Sequence, residues 1–158
     1  MINTVYKALS ELGLRFEKVV QNSFRTVFRL GVGLENGRAD CFVEIREPDK
    51  QLIILTIWPV SIPDNKRKQI AEFITRINYN LILGAFVLDF DDGELRYKCN
   101  FVYDNTLPQS EDVFIRNLFT SFLMMDRYLP GIISIVYANI EPKIAFNQIE
   151  KITDPSMN

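Results

Sequence analysis

The sequence has 158 residues, a formal net charge of −2 at pH 7, and 47% hydrophobic and 24% charged residues. This length and composition predict one globular domain, placed at residues 1–153, with a frayed tail at residues 154–158. The weak negative charge argues against nucleic acid as a partner, and a chain without histidine lacks the usual general base and metal ligand, so no cofactor is expected.

A short helix opens the chain. Apolar residues recur at helical spacing between Ile2 and Leu12, which predicts an amphipathic helix that stops at Gly13. This segment is not a basic region followed by an apolar core, so it does not resemble a signal peptide. Residues 14–20 are expected to be extended but irregular.

A β-meander is predicted next. Apolar and polar residues alternate from Phe24, and Asn36-Gly37 is typical of a two-residue hairpin turn. Residues 52–58 are apolar apart from Thr56, which predicts a third strand covered on both faces. The turn residues predict the following pairs: Leu34 with Ala39, Val32 with Cys41, Leu30 with Val43, and Phe28 with Ile45.

A long helix follows the meander. Ser61, Asp64 and Pro63 resemble a helix start, and the apolar spacing predicts a helix from about Ile62 to Leu83, roughly 30 Å long. Asn78 lies within its apolar stripe, and Arg67 is turned toward the same side. Each is interpreted as part of a structural polar core that bonds backbone or acidic groups, and the alternative is a ligand-orienting group in a pocket.

Asp92-Gly93 predicts a second two-residue hairpin after this helix. The expected pairs are Phe90 with Leu95, Leu88 with Tyr97 and Phe86 with Cys99, with Asp89 opposite Arg96. The acidic residues 89–94 also suggest a calcium loop, but Gly93 falls one position short of the required spacing, so the turn is favoured and no metal site is assigned.

The last long helix is predicted from Ser110 to Leu129. Its apolar residues cover more than one face, and Phe119, Leu123 and Met124 lie beside a stripe that is already sufficient for a core. Surplus apolar area marks an interface, so these three residues are the candidate partner surface, unless a neighbouring segment covers them. Pro130-Gly131 is expected to break or kink the helix, and residues 132–137 are left as helix or strand. A short helix follows, from about 142 to 151.

Cys41 and Cys99 both fall on inward faces of predicted strands. Two reduced core thiols are favoured over a disulfide, since the domain is long enough to fold without one. The longest apolar run, residues 52–60, is too short to cross a membrane. A cytoplasmic protein with no membrane partner is therefore expected.

Several segments together resemble one known family. They are Lys66-Arg67, Arg76 to Asn78, Gly84 to Asp89, Asp92 to Tyr97, Asp126 to Gly131 and Ala145 to Glu150. This pattern resembles the YbjN family, whose members are commonly labelled regulators of bacterial sensory transduction. The resemblance implies a fold similar to the type III secretion chaperones, often dimeric, with helices on one side of a twisted antiparallel sheet.

The predicted order is α-β-β-β-α-β-β-α, an α+β domain with about five antiparallel strands. No phosphate loop, nucleophile elbow or spaced carboxylate pair occurs, so an enzyme is not expected. The function predicted is a non-catalytic cytoplasmic interaction module, a chaperone-like or regulatory adaptor, whose partners are a second copy and an unidentified polypeptide. The alternative is a small-molecule binder or enzyme with a pocket between sheet and helices.

Overall fold

The computed structural model describes residues 1–103 and 111–153. In chain order its elements are α1 (Ile2–Glu11), β1 (Phe16–Gln21), β2 (Thr26–Gly33), β3 (Arg38–Arg46), β4 (Gln51–Ile57), α2 (Asp64–Asn78), β5 (Ala85–Leu88), β6 (Leu95–Val102), α3 (Glu111–Ala138) and α4 (Pro142–Thr153). The strands form one antiparallel sheet in the order β1-β2-β3-β4-β6-β5. The helices pack on one of its faces, which confirms the predicted α+β class.

The sheet has a sixth strand, where about five were expected. The segment predicted to be extended but irregular pairs with β2 as β1, ending with Gln21 opposite Thr26. Its register shifts between Lys18 and Val20. A bulge of this kind breaks the alternation of inward and outward residues, so the sequence pattern alone did not identify a strand.

Aromatic contacts join the helices to the inward face of the sheet. Tyr6 of α1 meets Phe16 of β1 edge to face, with ring centroids 5.4 Å apart. On the same face, toward the β5 edge of the sheet, the ring centroid of Tyr128 in α3 lies 6.4 Å from that of Phe73 in α2 and 5.7 Å from that of Phe86 in β5. Edge-to-face pairs add about 0.5–1.5 kcal/mol each beyond the apolar area that they bury.

The β2–β3 hairpin is two residues away from its predicted register. Its loop spans Leu34–Gly37, and the observed pairs are Val32 with Ala39, Leu30 with Cys41, and Phe28 with Val43. The loop is held by α3, because the Asn36 N–H donates to Asp126 Oδ1 at 2.8 Å. A shift of two residues keeps every side chain on its predicted face.

The β5–β6 hairpin differs from prediction in the same way. Leu88 lies opposite Leu95 and Val87 opposite Arg96, so the expected pairing of Asp89 with Arg96 is wrong. Phe90, expected on the inward face, is 52% exposed in the wider loop. The guanidinium of Arg67 holds this loop by donating to the Phe90 carbonyl at 2.7 Å.

Helix α2 is shorter than predicted at both ends. It begins at Asp64 after Pro63, without a side-chain cap from Ser61, and it ends at Asn78 instead of about Leu83. Its 15 residues are about 22 Å long. The helix ends early because the Asn78 side chain bonds β5, and the chain then passes through Gly84, whose φ is +68°, into that strand.

Helix α3 runs without interruption through Pro130, so residues 132–137 are helical. The expected break does not occur, although the proline leaves one carbonyl without its helical partner. Gly131 allows a close approach to the neighbouring helices, because a Cβ there would lie 2.5 Å from the Phe73 ring and 2.7 Å from Ile149 Cδ1. The predicted helix start at Ser110 and the tail at residues 154–158 lie outside the described residues.

Both cysteines are buried and free, as predicted. Burial raises the pKa of the Cys41 thiol to about 12. Cys99 Sγ donates to Asn117 Oδ1 of α3 at 2.9 Å, and burial raises its pKa as well. Both groups are therefore protonated at neutral pH, and they behave as small core residues.

Within the single chain β4 is covered on one face only, and not on both faces as predicted. Its inward side chains are fully buried under the helices, as shown by Leu52, Ile54 and Thr56. Its outward side chains, those of Ile53, Leu55 and Ile57, are only half-buried, because no described helix lies on that side. The outer face of the sheet is therefore open and carries an apolar centre.

Candidate interaction surface

The predicted partner surface lies beside a groove between α3 and the β2–β3 hairpin. The groove has a volume of about 340 Å³ and is lined by Val32, Gly33, Leu34, Glu35, Phe119, Phe122, Leu123 and Asp126. Phe119 is 41% exposed and Leu123 is 63% exposed, and both line the groove. Met124, the third predicted residue, is half-buried and packs against the core, so the structure does not bring it to the groove.

A polar junction fixes the shape of this groove. Pro130 has no N–H, so it cannot bond the Asp126 carbonyl four residues earlier in α3. That carbonyl instead accepts a hydrogen bond from Asn36 Nδ2 at 3.2 Å, and the Asp126 carboxylate accepts from the Asn36 backbone N–H. The helix proline therefore leaves an acceptor with which the β2–β3 loop is held against α3.

The floor beneath the groove is anchored by buried polar contacts. Thr56 Oγ1 of β4 donates to Ser121 Oγ at 2.8 Å, and that hydroxyl donates to the Leu118 carbonyl at 2.7 Å. Phe119 and Phe122 meet edge to face at 6.0 Å. Helix α3 is thus fixed in rotation on the sheet, which keeps Leu123 on the outer side.

Asn78 bonds the outer edge of the sheet. Its Nδ2 donates to the Phe86 carbonyl at 2.9 Å, and its Oδ1 accepts from the Phe86 N–H at 2.8 Å. Strand β5 is an edge strand, and these two backbone groups point away from β6. The carboxamide therefore occupies the place of a neighbouring strand, which is the backbone-bonding arrangement and not a ligand pocket.

Arg67 connects the start of α2 to the β5–β6 loop. Besides the Phe90 carbonyl, its guanidinium donates to the Ile62 carbonyl at 3.2 Å and forms an ion pair with Asp64 at 2.5 Å. Gly93 allows this close packing, since a Cβ there would lie 2.2 Å from the Ile62 carbonyl oxygen. Arg67 and Asn78 lie at different ends of α2 and do not form one site.

A second apolar surface, which the sequence reasoning did not assign, lies on the open face of the sheet. Half-buried Phe42, Ile53, Leu55 and Ile57 form its centre. We call these four residues the open-face cluster. The signal for it was present in the sequence, because the apolar run of β4 predicts cover on both faces and the helices supply only one.

Residues 1–103 and 111–153 contain no group of three or more Cys, Asp or Glu side chains placed to hold a metal ion. Burial raises the pKa of the Tyr97, Tyr103 and Tyr128 hydroxyls to about 12. None of the helices in those residues has both the length and the hydropathy of a bilayer-spanning segment.

Residues 2–134 match the model of the YbjN family, which is described as "Putative bacterial sensory transduction regulator". Among solved structures, a chain of the HopA1-SchA chaperone-effector complex is similar, with a TM-score of 0.45 and 12% sequence identity. That similarity covers 80% of the present chain and 94% of the other. No curated protein sequence matches the chain significantly.

Proposed function

Because its match spans residues 2–134, the chain belongs to the YbjN family, and we propose that it is a non-catalytic interaction module that binds a segment of another polypeptide. It acts as a chaperone-like or regulatory adaptor, in the cytoplasm and as a homodimer. The observation that carries the proposal is the groove beside α3, where two large apolar side chains are left exposed on an otherwise well-anchored helix.

The groove suits a short apolar peptide segment. Its exposed wall is made by Phe119 and Leu123, and burying an exposed leucine or phenylalanine stabilises a complex by about 1.5–3 kcal/mol. The opposite wall is the β2–β3 hairpin, which the Asn36 bonds hold in place. A preformed groove loses little conformational entropy on binding, which favours affinity for a flexible partner.

The charge of the groove indicates which residues should flank the apolar ones in the partner segment. Both charged residues in its lining, Glu35 and Asp126, are acidic. The Asp126 carboxylate accepts a hydrogen bond from Asn36, whereas Glu35 is exposed in the β2–β3 loop. A partner segment with basic residues next to its apolar ones is therefore electrostatically complementary.

A small-molecule site at Asn78 or Arg67 is less well supported. The carboxamide of Asn78 already makes two backbone bonds, and the guanidinium of Arg67 bonds carbonyls and Asp64. A ligand would have to break these bonds and leave backbone groups unpaired, which costs about 1–3 kcal/mol for each such group.

The test is site-specific cross-linking followed by reconstitution. A photoreactive phenylalanine analogue replaces Leu123, and the matched control carries it at Tyr137, which is 67% exposed on the same helix. Cross-linked chains are identified by mass spectrometry, and the identified partner is purified and titrated by fluorescence anisotropy. Leu123→Glu should weaken binding at least tenfold, Glu35→Lys should weaken it less, and Tyr137→Glu should leave it unchanged.

The proposal is wrong if cross-links form equally at both positions. It is also wrong if Leu123→Glu binds the purified partner as tightly as the unmodified chain. Because Leu123 is 63% exposed, its replacement should change the free energy of unfolding by no more than about 0.5 kcal/mol. A loss of binding then reports on the groove and not on folding.

A further inference from the structure

We propose that a second copy of this chain packs face to face on the open face of the sheet, with the two-fold axis running along β4. The inference rests on the homodimer part of the proposed function and adds where the copies meet. It is independent of the groove beside α3, which lies on the helical side of the sheet.

The first argument is the composition of β4. A strand that is buried on one face alternates apolar and polar residues, whereas a strand covered on both faces is apolar throughout. β4 is close to the second kind, since Ile53, Leu55 and Ile57 alternate with the buried residues Leu52 and Ile54, and its one buried polar residue is Thr56. The chain covers the inward residues with α3 and leaves the outward ones half-exposed.

The second argument is the order of residues across the open face. Strand pairing places the outward residues in rows that run across the sheet from β2 through β3, β4 and β6. β5 is short and adds a residue to two of these rows. The central row is Arg29, Phe42, Leu55, Lys98 and Ala85. The rows on either side are Gly31, Asp40, Ile57, Arg96 and Val87, and then Val27, Glu44, Ile53 and Asn100.

A two-fold axis along β4 places each row of one copy over the same row of the second copy, with the order of strands reversed. β3 then lies over β6 of the second copy, so Asp40 faces Arg96 twice, once on each side of the axis. Leu55 and its two β4 neighbours face their own copies at the centre. An apolar centre flanked by opposite charges is the arrangement that a self-complementary interface requires.

The same axis places a side chain of the second copy over a trough on the open face. A trough of about 470 Å³ on the open face is lined in part by Arg29, Gly31 and Asp40, and a Cβ on Gly31 would meet nothing within 4 Å. In the reversed row Gly31 faces Val87, which is 42% exposed in the single chain. The valine of one copy therefore projects toward the trough of the other.

Charge also disfavours a second face-to-face arrangement. An axis at right angles to the strands would place β3 over its own copy, so that Asp40 faces Glu44 and two carboxylates meet on each side. The axis along β4 brings Glu44 opposite Asn100 instead. Like charges held together destabilise an interface, and the arrangement along β4 avoids them.

The charges around this contact form an alternating network. Asp40 already pairs with Arg29 at 3.1 Å, and Arg96 pairs with Glu94, so the new contact joins two existing pairs in the order plus, minus, plus, minus. The strands from β2 to β5 in the sheet span a flat footprint of roughly 550 Å² at the usual strand spacing and rise. Because side chains project from this plane, the accessible area exceeds the flat footprint, and a standard interface buries about 800 Å² per partner.

Two charge reversals test the arrangement in trans. Asp40→Arg alone places two arginines against each other, and Arg96→Asp alone places two aspartates together. Each variant should raise the dimer dissociation constant on the order of 10- to 100-fold. Mixing the two restores opposite charges on both sides, so the mixture should dimerise at protein concentrations at which each variant alone is largely monomeric.

Sedimentation velocity as a function of protein concentration measures the result, and circular dichroism melting shows that each variant is folded. Leu55→Glu, which places two carboxylates on the axis, should abolish the dimer, while Leu123→Glu should retain it. A monomeric unmodified chain, or a mixture that fails to associate, overturns the inference. A dimer lost with Leu123→Glu but kept with Leu55→Glu also overturns it, and assigns the homodimer to the groove.

Discussion

Replacing Asn78 with alanine should expose the edge of the sheet. The substitution removes the bond to the Phe86 carbonyl at 2.9 Å and the bond from the Phe86 N–H at 2.8 Å. A typical hydrogen bond contributes about 1 kcal/mol net, and a backbone group left without a partner costs about 1–3 kcal/mol. Because the site is only half-buried and water can replace part of the loss, we expect a total of about 2 kcal/mol.

The assay is urea unfolding together with thermal melting. A domain of this length loses about 2–4 °C in Tm for each kcal/mol, so Asn78→Ala should melt about 4–8 °C below the unmodified chain. Asn80→Ala is the matched control, because Asn80 is exposed in the same turn and should change stability by no more than about 0.5 kcal/mol. Equal melting temperatures for the two variants would refute the edge-bonding role of Asn78.

Two further predictions concern packing and pH. Gly131→Ala should destabilise the chain by about 1–2 kcal/mol in urea unfolding, because its Cβ would lie 2.5 Å from the Phe73 ring, whereas Gly33→Ala, with nothing within 4 Å, should not. The pKa of Tyr128 is raised from 10.0 to about 12 in the folded chain, so its stabilisation is complete below about pH 10 and is lost as the pH rises to about 12. Melting temperatures should fall over that range and fall less steeply in Tyr128→Phe; an equal slope in both chains contradicts the assignment.

The sequence predicted which face each strand residue occupies better than it predicted which residues pair. Both hairpins contain strong two-residue turn signals, yet each register differs by two residues. The first loop lies one residue earlier than predicted, because the Leu34 N–H donates to the Gly37 carbonyl, and the second loop is wider than predicted. The cause in both cases is a tertiary contact, from Asp126 to the first loop and from Arg67 to the second. Tertiary contacts of this kind can outweigh the preference of a turn sequence. The face on which a strand residue lies is set by burial, and a register shift of two residues leaves that face unchanged.

The ends of the helices could not be predicted from the apolar periodicity either. The apolar spacing of α2 continues past Asn78 to Leu81, but the side chain of Asn78 bonds β5, and the helix ends there. In α3 the proline predicted a break, but the helix continues, and the Asp126 carbonyl that the proline leaves free accepts a hydrogen bond from Asn36. Local propensity is a weak guide wherever a neighbouring element supplies the missing bonds.

The proposed partner surface was found in part from the sequence. Phe119 and Leu123 line the groove as surplus apolar residues, whereas Met124 turns into the core. The opposite wall comes from the β2–β3 hairpin, about ninety residues earlier in the chain, and only the fold brings it there. Periodicity along one helix identifies exposed residues, but it carries no information on which distant segment forms the rest of a site.

The two proposed surfaces are compatible within one assembly. The groove lies at the end of the sheet where β2 turns into β3, on the helical side, and the open-face cluster lies on the other side of the same strands. A two-fold axis along β4 preserves position along the strands and reverses the face, so both grooves of the proposed dimer would lie at one end and point outward. A partner with two basic apolar segments would then bind both grooves at once, and its affinity would depend on the length of chain between them.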